Sequence, residues 1–247
     1  MSMTKVDLES TPPDVPAAFR PRLRLGFGLC CATLALAIVV SLGVQLVPAV
    51  SGTVGSDALR DESASVKWGI TVTDFVLEAV LVFSWVCLYT APIGLRWRST
   101  SAVLLAMGGA DLVMMIMKIA GTDPFAHAVA ERLGMALGWV ELWMIAVLAA
   151  DTAEATERSD ITHQTEVTGQ FILWGGAAWL AAEVWQFNPD QWLQSSANAT
   201  PDSFAFVLVT AYAFLQIISL ARTAIFCGQL AAALSPDAEL PPPDGTI

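Results

Sequence analysis

The chain reads as an all-α protein, a polytopic transmembrane helix bundle of about six spans with both termini cytoplasmic. Three observations lead there. Six stretches are apolar over about the 20 residues that a helix needs to cross a roughly 30 Å hydrocarbon core, where every backbone polar group has to be satisfied within the helix. Of 247 residues, 55% are hydrophobic and only 14% charged, with a mean hydropathy of +0.60, well outside the balance of a water-soluble domain. The arginines gather beside alternate ends of the apolar stretches.

In order, the expected spans are residues 25–50, 69–91, 100–120, 129–150, 169–187 and 204–230. Arg20, Arg22 and Arg24 precede the first span, Arg96 and Arg98 lie between the second and third, and Arg222 sits near the end of the sixth. Segments 51–68 and 121–128 hold few basic residues and 188–203 holds none, so the positive-inside rule puts those three segments outside and both termini inside. The polar, proline-containing residues 1–21 and the long first apolar stretch, with no clear cleavage site after it, read as a signal anchor at most and not as a cleaved signal peptide. The expected division is a disordered cytoplasmic tail at 1–22, a six-helix membrane bundle at 23–232 and a disordered, proline-rich acidic tail at 233–247. Segment 151–168 is the longest loop expected between spans. This is the pattern of a multi-pass protein of a cell (inner) membrane.

Charge and motif content exclude several classes. A net charge of −11, spread over loops and tails, argues against a nucleic-acid partner, which needs clustered Lys and Arg. No internal repeat is visible, so the inverted-repeat pattern of many transporters is not expected. A bis-histidine haem would need both axial ligands within the membrane, whereas His127 and His163 fall on opposite sides of it. Lys118 is the only lysine within an expected span and there is no seventh helix, against a retinal Schiff base. Nucleophilic triads, phosphate-cradling glycine loops and C-x-x-C pairs are absent, so soluble-style enzyme chemistry has no support. Cys30, Cys31, Cys87 and Cys227 all fall toward the cytoplasmic leaflet and read as small apolar residues in helix interfaces. Asn198 and Thr200 form a sequon, relevant only in a host that glycosylates exported loops.

Ionisable residues inside the spans carry the functional signal. Asp74 and Glu78 share a helical face in span two, as do Asp111 and Lys118 in span three; Glu141 lies in span four between Trp139 and Trp143, and Glu183 near the outer end of span five. A charge at mid-bilayer costs about 2.5–3.5 kcal/mol even on the lenient insertion scale, so these groups are expected to face the bundle interior and to converge. Glu78, Asp111, Lys118, Glu141 and Glu183 are therefore the candidate ion pathway. The alternative is that Lys118 neutralises one acid and the remainder act as protonated or hydrogen-bonded glue between helices.

A second constellation opens span four. Asp123, His127 and Glu131 recur every four residues on one face, and His-x-x-x-Glu on a helix can bring two ligands to one ion, copper or zinc for a site that includes an imidazole. The competing reading makes Asp123 the N-cap before Pro124 at the first helical position, with His127 an ordinary interfacial residue.

Arg60-Asp61, Leu88-Tyr89, the approach from Met115-Ile116 to Gly121, and then Asp123-x-x-x-His127 together resemble the membrane C subunit of copper membrane monooxygenases, which oxidise methane, ammonia or short hydrocarbons. The resemblance covers about a third of the chain, and spans five and six have no counterpart. It implies a copper site near the outer face with Asp123 and His127 as ligands; the family's later histidine falls on Glu141 here. Three functions follow: an integral membrane subunit or scaffold with a buried carboxylate cluster, which the lack of a sharp motif favours; a proton- or cation-coupled transporter or channel; or a metal-bearing monooxygenase-type subunit. The expected partners are the lipid bilayer and other membrane subunits or further copies of the chain.

Overall fold

The computed structural model describes residues 15–50, 58–93, 95–119, 124–185 and 203–235. Among these residues there are six α-helices and no strand: α1 Arg20–Val50, α2 Ala58–Tyr89, α3 Leu95–Ile119, α4 Pro124–Ala155, α5 Ser159–Trp185 and α6 Ser203–Ala233. The helical bundle expected from the apolar runs is therefore present. The expected tails lie mostly outside the described residues, but Val15 and Leu234 are already buried in the common core, so the packed bundle extends beyond 23–232 at both ends.

Each helix runs antiparallel to the next, as the side-chain register shows. At the α1–α2 seam Cys30 Sγ lies 3.0 Å from Ser84 Oγ, while the earlier Gly26 faces the later Leu88. Across α2–α3 the Trp97 indole N–H donates to the Leu88 carbonyl at 2.9 Å, and Phe27 of α1 meets the Trp97 ring edge-on. Across α3–α4 Arg96 pairs with Asp151 at 3.8 Å, and across α4–α5 Arg132 pairs with Glu183 at 3.4 Å. Arg222 Nε donates to Thr168 Oγ1 at 3.0 Å between α5 and α6, and Cys31 of α1 lies against Gly228 of α6. α6 thus returns to α1 and closes a ring, bringing both ends of the described chain to one end of the bundle. Because α4 and α6 also touch, α5 packs over the groove between them, outside the ring of the other five.

Close helix approach depends on glycine facing tryptophan. A Cβ at Gly108 of α3 would run into the Trp85 ring of α2, and one at Gly175 of α5 would run into the Trp139 ring of α4. In lipid the apolar effect does not drive helices together, so such van der Waals seams and interhelical hydrogen bonds do it instead. The outside of the bundle is correspondingly apolar: Phe83, Val113, Leu173, Trp174, Val184 and Phe214 are all exposed. Such a surface suits hydrocarbon and would be an aggregation liability in water.

Among the described residues, five helices are long and apolar enough to cross a membrane: α1, α2, α3, α4 and α6. α5 is as long, at 27 residues, but its first third is polar, running from Ser159 through Asp160, His163, Gln164 and Glu166. Only its remainder is apolar, yet its antiparallel register with α4 carries it from Gly169 beside Trp143 to Glu183 beside Arg132. It therefore spans the same depth of the bundle as α4 over that stretch.

The long loop expected at 151–168 is not there. α4 continues to Ala155 and α5 begins at Ser159, leaving only Thr156, Glu157 and Arg158 between them. Polar residues extend these helices because their ends are capped locally. Thr152 and Thr156 return their hydroxyls to carbonyls four residues back. The Arg158 N–H donates to Ala153 O at 2.8 Å and the Glu157 N–H to Glu154 O at 3.1 Å, a Schellman closure with Glu157 in the left-handed position at φ 56°. Arg158 then grips Asp160 with two hydrogen bonds of 2.9 and 2.8 Å, which hold the Asp160 carboxyl below its ordinary value.

Candidate functional site: a buried carboxylate trio

Three neighbouring helices each supply one acid to a common point. Glu78 of α2, Asp111 of α3 and Glu141 of α4 offer carboxylate oxygens that all lie within 4.8 Å of one another. The positions follow from antiparallel packing. Counted by helix rise, Glu78 lies about 16 Å from the end of α2, Asp111 about 24 Å from the start of α3 and Glu141 about 21 Å from the end of α4. Those three termini sit at the arginine-bearing end of the bundle, so the trio lies at mid-depth or beyond, toward the opposite end.

Burial is the decisive property. Glu78 and Glu141 are 8% and 7% exposed, and Asp111 is half-buried. Glu78 Oε1 and Glu141 Oε1 are both buried without a hydrogen-bond partner. A buried acceptor left unpaired costs about 1–3 kcal/mol, and more when charged. Gly134 helps to make the convergence possible: a Cβ there would lie 3.2 Å from Asp111 Oδ1, so the bare backbone of α4 lets the Asp111 carboxylate approach. Gly134 and Glu141 are seven residues apart on one face of α4, a relation visible in the sequence once Asp111 is known to be their neighbour.

The expected ion pathway divides. Glu78, Asp111 and Glu141 come together, whereas Glu183 is engaged by Arg132 on the α4–α5 seam. Arg132 was not among the residues that the sequence singled out, although a basic residue inside an expected span is itself a signal. Lys118 belongs to α3, about 10 Å of helix rise beyond Asp111, and its side chain lies outside the described residues. Asp74, one turn before Glu78, is exposed, so a shared helical face did not give the two acids the same environment.

For the second constellation, α4 begins at Pro124, as the capping pattern requires. Asp123 and the side chains of His127 and Glu131 lie outside the described residues. Helix α4 is continuous from Pro124 to Ala155, so His127 and Glu141 are separated by about 21 Å of rise and cannot share an ion. The sequon at Asn198 also lies outside the described residues.

All four cysteines are free thiols, and Cys30, Cys87 and Cys227 are buried at helix interfaces, as small apolar residues would be. The Arg222 guanidinium, which the sequence offered only as a topology marker, also stacks 5.7 Å from the centre of the Phe171 ring. No family model, curated protein or solved structure matches the chain. The architecture and the trio define a multi-pass helical membrane protein with a buried acidic cluster.

Proposed function

We propose that this membrane protein handles protons or cations through the Glu78, Asp111 and Glu141 carboxylates, as a carrier or as the ion-handling subunit of a larger membrane assembly. One observation supports the reading above all: three acids from three helices meet in the bundle interior, two of them with a buried oxygen that no donor satisfies. Acids serving only as helix glue would be expected to pair with donors across the seam, as Glu183 does with Arg132. Ionisable residues within membrane spans that face the bundle interior characteristically mark ion paths and proton relays.

The test is reconstitution of the full chain into liposomes containing a pH-sensitive dye, with an imposed proton or cation gradient. Wild-type protein should move protons or couple them to a cation. An Asp111→Asn, Glu141→Gln double variant should insert and assemble but lose that movement, because shape is kept and ionisation removed. Undiminished movement in the double variant would assign the acids to packing alone.

A further inference from the structure

We propose that Glu78, Asp111 and Glu141 bind a hard divalent cation of the magnesium, manganese and calcium class. This inference rests on the functional reading of the trio and narrows it to one type of ion.

Four features of the site argue for that class. The first is ligand chemistry: the trio offers carboxylate oxygen alone, the preference of hard divalent ions, whereas copper and zinc favour imidazole or thiolate. The thiols lie elsewhere, with Cys30 beside Ser84 on the α1–α2 seam and Cys31 beside Gly228 on the α1–α6 seam. The second is span. Metal–oxygen bonds of about 2.0–2.6 Å place ligand oxygens on opposite sides of an ion about 4–5 Å apart, and the three acids already have oxygens within 4.8 Å of one another.

Charge balance is the third feature. Counted over the trio and the ion alone, three carboxylates and a monovalent ion sum to a charge of −2, whereas with a divalent ion they sum to −1, leaving less for a proton or the surrounding groups to balance in a poorly polarisable interior. The fourth is the pair of orphaned oxygens. Glu78 and Glu141 are more than nine-tenths buried, and each has an Oε1 without a partner. A cation bound through those two oxygens would satisfy both at once. Since each ligand comes from a different helix, the ion would also tie α2, α3 and α4 together.

The measurement is a Mn2+ titration of the full chain in mild detergent, following free Mn2+ by its electron paramagnetic resonance signal and unfolding by a thermal scan. Wild-type protein should take up one Mn2+ per chain, release it to Mg2+ or Ca2+ but not to Na+ at equal ionic strength, and melt at a higher temperature when loaded. A Glu78→Gln, Glu141→Gln variant should lose this ion, while Glu166→Gln, an exposed acid at the arginine-bearing end, should keep it. Equal uptake by the double Gln variant, or no stoichiometric uptake by wild type, overturns the proposal. Should the double variant fail to fold, the wild-type thermal shift decides, and its absence is equally fatal. Liposomes that move protons through a protein that binds no Mn2+ would refute the divalent ion and leave the titrating site standing; loss of both would refute both.

Discussion

Glu157 occupies the left-handed backbone region at φ 56°, which disfavours any residue with a Cβ by roughly 1–2 kcal/mol. It is held there by the two hydrogen bonds that end α4, and a glycine at the same point would meet both without the steric cost. Glu157→Gly should therefore stabilise the protein by about 1 kcal/mol, part of the gain being lost to the greater freedom of glycine in the unfolded chain. Equilibrium unfolding in detergent measures it, and a clear loss of stability would contradict the assigned closure. No signal in the sequence marks this position, since Glu is a poor indicator of left-handed backbone. The buried acids were far easier to find: a carboxylate within an apolar run stands out in one dimension, and the physical cost of placing it in lipid obliges it to seek the interior.

At the scale of single helices, α5 is the informative case. It lacks the uniform hydropathy of the other five, and its first third falls in the polar segment 151–168 that the sequence alone marks as loop. Helix formation there relies on local hydrogen bonds and on packing against α4 and α6, neither of which a hydropathy average records. Gly175 leaves no room for a side chain, since a Cβ there would run into the Trp139 ring of α4. Gly175→Ala should force the α4–α5 seam apart and destabilise the protein by about 1–3 kcal/mol, the usual cost of overpacking. The expected readout is a lower melting temperature in detergent and faster proteolysis at Thr156–Arg158. An unchanged melting temperature would mean that the seam yields more easily than its packing indicates.

For the whole molecule, the ring of antiparallel helices accounts for the arginine distribution. Arg22 donates to the Thr90 carbonyl at 3.2 Å, Arg96 reaches Asp151, and Arg158 closes the α4–α5 turn. All lie at the end of the bundle where α1 begins and α6 stops. By the positive-inside rule that end is the one expected to face the cytoplasm. A reporter fused after Ile247 and one inserted at Glu157 should both be cytoplasmic, and one placed in segment 188–203 external. An external carboxyl terminus would invert the bundle and turn the trio toward the inner leaflet.

What the sequence determined by itself is what depends on composition along one helix. Apolar runs of bilayer length, buried acids and the proline that opens α4 follow from solvation and backbone geometry, and neither needs knowledge of a neighbour. Tertiary structure alone decided which acids meet. Glu78, Asp111 and Glu141 are separated by 33 and 30 residues in the chain, and only the antiparallel register of α2, α3 and α4, with Gly134 open toward Asp111, brings their oxygens within 4.8 Å. The same register turned Glu183 toward Arg132 instead. Register is set by how side chains on two helices interlock, and that information is distributed over both surfaces rather than written in either helix.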